Sequence, residues 1–189
     1  MHKPRRLLAL ASLALALAAC DDGDKTPIEP VPTGPEPGVL RFNYSGARTG
    51  EFRASGRPAV GAPMVAYALL EEDRNQILII AYRNTSDPRF YDDVTFGMEN
   101  PRIGTFSCTT AETCSPFSTW VGLSLPNGSG PAPNAIRFTA TSAQITIAAV
   151  TPDSIRGTFQ MQMRHAFDLA GPQITVTQGE FNVPIVVSP

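Results

Sequence analysis

The chain has 189 residues, of which 42% are hydrophobic and 17% charged, and its formal net charge is -2. That length fits one domain, and the apolar fraction is too high for a wholly disordered chain. The slight negative charge excludes a strongly basic nucleic-acid binder, and three cysteines are too few for a disulfide-dense scaffold.

Residues 1–19 have the composition of a signal peptide. Three positive side chains, Lys3, Arg5 and Arg6, precede the Ala/Leu-rich run Leu7–Ala19. A transmembrane helix needs about 20 apolar residues, so this shorter run fits the hydrophobic part of a signal peptide better. We therefore predict that residues 1–19 are removed from the mature protein.

The end of this run predicts a lipid anchor. Leu17-Ala18-Ala19-Cys20 resembles the bacterial lipobox. The resemblance implies that Cys20 becomes the first mature residue and carries a thioether-linked diacylglycerol and an acylated amine, and several acyl chains suffice for stable anchoring. The alternative is an ordinary secreted protein cleaved nearby. We expect a lipoprotein of the bacterial cell envelope, held to the membrane through Cys20.

Residues 20–37 are predicted to join this anchor to the domain as an acidic spacer. Residues 21–37 contain five prolines, five acidic residues and one lysine. Proline-rich segments favour extended polyproline II structure, which makes a semi-rigid linker. The acidic start, Asp21–Asp24, resembles the inner-membrane retention signal of enterobacteria, and also the surface-export signal of some Bacteroidota lipoproteins. Simple solvation of the spacer is a third reading, so the periplasmic face and the cell surface both stay open.

Residues 38–189 are predicted to form an all-β domain. Along Ile155–Leu169, apolar and polar residues alternate almost perfectly, as in a strand with one buried face. Ala143–Phe167 reads as a β-hairpin, and a phase slip near Gly179 predicts a β-bulge. Further strands are predicted around Leu40–Tyr44, Phe52, Met64–Leu70, Ile77–Tyr82, Val94–Met98, Thr105–Cys108, Thr119–Leu125, Ile136–Ala140 and Ile174–Ile185. About ten strands favour an antiparallel β-sandwich, with an up-and-down, lipocalin-like barrel as the alternative.

Three strand motifs in the C-terminal half carry a resemblance. Ile145-Thr146-Ile147, Ile155-Arg156-Gly157-Thr158-Phe159 and the terminal run Ile174–Ile185 are similar to strands of uncharacterised bacterial β-sandwich lipoproteins. The resemblance implies the same fold and the same cellular address. It implies no catalytic residue.

Cys108 and Cys114 are predicted to form a structural disulfide. Five residues separate them, and the domain of a lipoprotein faces an oxidising compartment, where neighbouring cysteines usually pair. Two thiols without nearby histidines make a poor zinc site, and the spacing differs from that of the two-residue redox motif.

Few residues offer catalytic chemistry. Outside the signal peptide the only histidine is His165, and it occupies an apolar position of a predicted strand. No Gly-x-Ser-x-Gly nucleophile elbow is present, and one histidine cannot build a metal cluster. The domain also has 11 arginines and 12 acidic residues, a balance that predicts no nucleic-acid partner. We expect a non-enzymatic binding or structural module without a metal or cofactor.

One region has a composition that suits a ligand. Tyr82, Arg89, Tyr91, Asp92 and Trp120 combine aromatic rings with charged groups, as sugar-binding sites do. A solvated loop and a Trp packed in the core are the alternatives. The expected partner is an envelope protein or a glycan. Glycoside hydrolysis stays open as a further alternative, because that chemistry needs only two carboxylates at a defined separation.

Overall fold

The computed structural model describes residues 37–85, 91–114, 119–124, 135–168 and 170–187. Residues 1–36, which include the predicted signal peptide, Cys20 and most of the predicted spacer, lie outside these residues. The strands are β1 (Val39–Gly46), β2 (Gly50–Ser55), β3 (Met64–Glu71), β4 (Gln76–Asn84), β5 (Tyr91–Glu99), β6 (Gly104–Cys108), β7 (Trp120–Ser124), β8 (Ala135–Val150), β9 (Ser154–His165) and β10 (Gln173–Val187). A single 3-10 turn (Glu72–Arg74) and the four-residue helix α1 (Ala111–Cys114) complete the described elements.

The strands form one strongly curled mixed sheet, a half-barrel. Their order is β2-β1-β10-β3-β4-β5-β7-β8-β6, with β9 paired to both β10 and β8. The prediction of an all-β fold with about ten strands is confirmed. The sequence favours an antiparallel sandwich, with an up-and-down barrel as the alternative; the structure has one curled sheet that forms a half-barrel.

One pairing departs from the predicted antiparallel arrangement. Among the described strands all pairs are antiparallel except β10 with β3, where Ile185–Val187 runs parallel to Ala68–Leu70. This contact arises because β10 is long enough to pass the end of its pairing with β1 and reach a second partner. The last three strand residues therefore join two regions of the sheet that are distant in sequence.

Strand β8 also changes partner along its length. Its first residues, 135–139, pair with β7, and residues 143–147 pair with β6. The sequence suggested two strands here, because the apolar alternation breaks between Ala140 and Ala143. The structure has one strand with a register shift between Ala140 and Ser142, so the break in alternation marks a bulge rather than a turn.

Strand β9 follows the predicted alternation through Met163. Its odd-numbered residues up to that point are buried, and its even-numbered residues from Arg156 to Gln162 are exposed. The strand ends at His165, earlier than predicted, where the His165 amide donates a hydrogen bond to the carbonyl of Pro172. Phe167 lies beyond this turn and is 86% exposed, so it does not extend the apolar face.

The interior is built around phenylalanine rings from different strands. Phe96 of β5 lies 4.9 Å from Phe159 of β9 and 5.7 Å from Phe181 of β10, measured between ring centroids. A β-carbon on Gly157 would lie 2.1 Å from the carbonyl oxygen of Thr146 and 2.7 Å from the Phe181 ring, so only glycine fits beside that ring. Close packing of this kind makes the interior sensitive to changes in side-chain volume.

Strands β3 and β4 are apolar at nearly every position. A strand apolar at nearly every position suggests cover on both faces. Their inward side chains, such as Ile77 and Ile79, are buried, whereas outward ones such as Leu78 and Ile80 are only half-buried. The inward face is therefore fully covered at these positions, and the outward face is covered only in part.

Candidate functional site

A polar cleft lies on the outward face of β1, β2, β8, β9 and β10. Its volume is about 680 Å³. The side chains and backbone that line it belong to Arg41, Phe42, Asn43, Glu51, Gln144, Thr146, Thr158, Phe159, Gln160, Gln178, Gly179 and Glu180. We call this set the polar cleft. None of its residues belongs to the ligand site predicted from the sequence.

Strand register brings the cleft residues together in rows. Glu180 pairs with Arg41 on one side and with Thr158 on the other, and Thr158 pairs with Thr146. In the neighbouring row Gln160 lies opposite Gln144. Paired residues share one face of a sheet, so these polar side chains all project away from the apolar interior.

The predicted bulge in β10 shapes this surface. The register shifts between Val176 and Gly179, which confirms the expectation, and Gln178 has a left-handed φ of 52°. Thr177 and Gln178 are both exposed although they are consecutive, because the bulge breaks the alternation. A β-carbon on Gly179 would lie 2.5 Å from the carbonyl oxygen of Phe159, so the bulge needs glycine there.

Cross-strand hydrogen bonds hold the lining side chains in place. The Gln160 Nε2 group donates to Gln144 Oε1 at 3.0 Å, and Asn43 Nδ2 donates to Gln178 Oε1 at 2.6 Å. Among the described contacts, each of these amides uses one of its two polar groups in the pair. Because an amide carries both a carbonyl and an amino group, the other group can contact a ligand.

The charge of the cleft is small. Its lining holds one arginine and two glutamates, a formal charge of -1, and Arg41 Nε donates to Glu180 Oε1 in an ion pair. The two charges of that pair offset each other, and their side chains are 48% and 24% exposed, so the pair contributes at most about 1 kcal/mol to stability. The remaining lining is mostly uncharged amide and hydroxyl.

The predicted ligand residues are partly brought together. Tyr82 of β4 and Tyr91 of β5 form an edge-on ring contact with centroids 6.3 Å apart. Asp92 is separated from them: it is buried on the inward face, where its Oδ2 atom accepts hydrogen bonds from Nε and Nη2 of Arg83 at 3.2 Å. The separation follows from β5 beginning at Tyr91, since neighbouring residues of a strand face opposite sides.

Two other predicted ligand residues are described less fully. Arg89 lies outside the described residues. The backbone of Trp120 pairs with Thr95 and with Thr139, and its side chain is outside the description. The structure adds Tyr67, whose pKa is raised by burial and by its proximity to Tyr82. Tyr67 was not predicted because it lies in an apolar strand far along the sequence from Tyr91.

The predicted disulfide is present. Cys108, the last residue of β6, is bonded to Cys114, the last residue of α1, with Cα atoms 5.1 Å apart. Both residues are buried. Closing so short a loop stabilises the fold by about 2 kcal/mol through the unfolded state. The bond therefore holds α1 at the end of β6.

His165 lies at the end of β9 and is half-buried. Its Nδ1 atom accepts a hydrogen bond from the amide of Phe167 at 3.2 Å. In the part of the chain that the structure describes, no three His, Cys, Asp or Glu residues are grouped to hold a metal ion. Over the same residues, no helix is both long and apolar enough to span a membrane.

Comparisons with known proteins give no assignment. No protein-family model matches the chain, and neither a curated protein nor a solved structure shows significant similarity to it.

Proposed function

We propose that the protein is a lipid-anchored lipoprotein of the bacterial cell envelope whose β-domain binds a neutral carbohydrate without chemical conversion. The observation that carries the ligand class is the polar cleft, a concavity of about 680 Å³ in which six of the twelve lining residues carry an uncharged amide or hydroxyl. The address rests on the lipobox resemblance at Cys20 and on the acidic spacer that follows.

Hydrogen-bond chemistry favours a hydroxyl-rich ligand. A sugar hydroxyl both donates and accepts, and glutamine, asparagine and threonine offer the same two functions. An apolar ligand would leave these groups without water or partners, which costs about 1–3 kcal/mol for each buried group. An anionic ligand would meet the formal charge of -1 in the lining. A neutral sugar avoids both costs.

The same geometry favours binding over hydrolysis. Glycosidases use two carboxylates, one as a proton donor and one as a base or nucleophile. Glu51 and Glu180 both line the cleft, but Glu180 accepts a hydrogen bond from Arg41. A carboxylate held in this way is engaged with its own partner rather than presented to a glycosidic oxygen. We therefore assign the cleft to recognition.

The ligand class is tested by titration calorimetry on the full mature chain in detergent, with cellotriose, maltotriose and chitotriose as probes. We expect at least one trisaccharide to bind. The double variant Gln144→Ala/Gln160→Ala should weaken that binding at least about tenfold, because each lost hydrogen bond contributes about 1 kcal/mol.

Gln173→Ala is the matched control, since Gln173 is an exposed glutamine of β10 outside the cleft lining. It should leave the affinity unchanged. Equal affinity of the double variant and the wild type, or no heat with any of the three sugars at millimolar concentration, would contradict the carbohydrate assignment.

The address is tested separately by replacing Cys20. Cys20→Ala removes the thiol that would carry the lipid, so the mature protein should move from the membrane fraction to the soluble envelope fraction. Cell fractionation measures the shift, with Cys108→Ala/Cys114→Ala as a control that keeps Cys20. Retention of the Cys20→Ala protein in membranes would refute the anchor.

A further inference from the structure

A second concavity of about 500 Å³ adjoins the polar cleft. Its lining comes from the end of β6 and from β8, β9 and β10, and includes Ser107, Gln144, Gln160, Gln162, Thr175 and Thr177. Gln144 and Gln160, which are hydrogen-bonded to each other, line both concavities. We call the second one the neutral cleft, because no charged side chain is among its lining residues.

We propose that the polar cleft and the neutral cleft form one trough that binds several consecutive units of a neutral polysaccharide chain. This inference rests on the proposed carbohydrate function and extends it from a single sugar to a polymer. The shared pair Gln144 and Gln160 lies where the two clefts meet, so a chain occupying both would pass over that pair.

The register of the strands shows that the polar surface is continuous. Ser107 of β6 lies opposite Gln144, Gln144 opposite Gln160, and Thr175 of β10 opposite Gln162. Polar side chains therefore occupy the outward face from β6 to β2, where Glu51 lines the polar cleft. Along the path β2-β1-β10-β9-β8-β6 this is five strand spacings, about 24 Å along the sheet. A single sugar ring would contact only a fraction of that length.

The neutral cleft is also ordered before any ligand binds. Thr175 Oγ1 donates to Gln162 Oε1 at 2.9 Å, and Thr141 Oγ1 donates to the backbone carbonyl of Gln162 at 3.1 Å. The first contact orients the Gln162 side chain, and the second holds its backbone. Side chains held in advance lose less conformational entropy on binding, which favours a long ligand with many weak contacts.

The experiment compares trioses with hexaoses of the cello, malto and chito series on the full mature chain by titration calorimetry. We expect a hexaose to bind about tenfold more tightly than its triose, at one molecule per protein, because its additional units reach a second set of contacts. Asn43→Ala in the polar cleft and Gln162→Ala in the neutral cleft should each weaken hexaose binding about three- to tenfold. Gln173→Ala, outside both linings, should not.

Two results separate failure of this inference from failure of the proposed function. If a triose binds but the hexaose is no tighter, or the hexaose does not respond to Gln162→Ala, the extended trough is refuted while carbohydrate binding stands. If neither trioses nor hexaoses bind, both are refuted. The trough is supported if Asn43→Ala and Gln162→Ala both bind the hexaose more weakly than the wild type while Gln173→Ala binds it equally well.

Discussion

Phe96→Ala is expected to lower the free energy of unfolding by about 3–5 kcal/mol, the usual cost of removing a buried phenylalanine. Phe96 is fully buried on β5 and contacts Phe159 and Phe181, whose strands lie on the other side of the curled sheet. The substitution removes the ring that fills the space between these strands. Urea unfolding should show the loss, and the melting temperature should fall by about 10 °C.

Glu99→Ala on the same strand is the control for Phe96→Ala. Glu99 is exposed, so its replacement should change stability by no more than about 0.5 kcal/mol. A loss below about 1 kcal/mol for Phe96→Ala would mean that the interior collapses around the missing ring, which would contradict the close packing described above.

Arg83→Met is expected to cost about 2–3 kcal/mol. The guanidinium of Arg83 pairs with Asp92 on the inward face and lies 5.0 Å from the centroid of the buried Phe52 ring. Methionine retains apolar contact with that ring but leaves the Asp92 carboxylate, only 11% exposed, without this cation. Breaking a buried pair from one side costs up to about 5 kcal/mol, and the partial exposure of Arg83 lowers the expected value.

The double variant Arg83→Met/Asp92→Leu distinguishes the loss of the ion pair from the loss of packing against Phe52. Replacing both partners by apolar groups is often neutral, so the double variant should recover most of the stability lost in Arg83→Met. Chemical unfolding of the two variants beside the wild type measures the difference. If the double variant is as unstable as Arg83→Met, the loss comes from packing on Phe52, and the ion-pair explanation fails.

Local patterns were sufficient for most strands. The alternation in Ile155–Met163 predicted β9, and the slip at Gly179 predicted the bulge in β10, because both depend on neighbouring residues facing opposite sides. The Cys108–Cys114 bond was also predictable from local sequence, because its two cysteines are close together in the chain. The change of partner along β8 was not, because a bulge and a turn disturb alternation in the same way.

The polar cleft could not be predicted from local sequence. Its ion pair joins Arg41 and Glu180, which are 139 residues apart, and its amide pair joins Asn43 and Gln178, which are 135 apart. In the sequence each of these residues occupies one of the polar positions of an alternating strand. Their convergence depends on the register between β1, β8, β9 and β10, and the hydrophobic pattern specifies the face of a residue rather than its partner. Sequence composition groups Tyr82 with Asp92, whereas the structure places them on opposite faces, because β5 begins at Tyr91 rather than at Val94.

The pairing of the last strand has a consequence for when the domain can fold. Strand β10 contacts β1, β3 and β9, so the first and last of the described strands are neighbours in the sheet. Contacts between distant parts of a chain slow folding, since a long loop must close before they form. Because the chain is synthesised from the N-terminus onward, it cannot complete the sheet until β10 has been made. If the proposed envelope address is correct and the chain is exported unfolded, the same dependence on β10 would keep the sheet incomplete until the C-terminal strand has crossed the membrane.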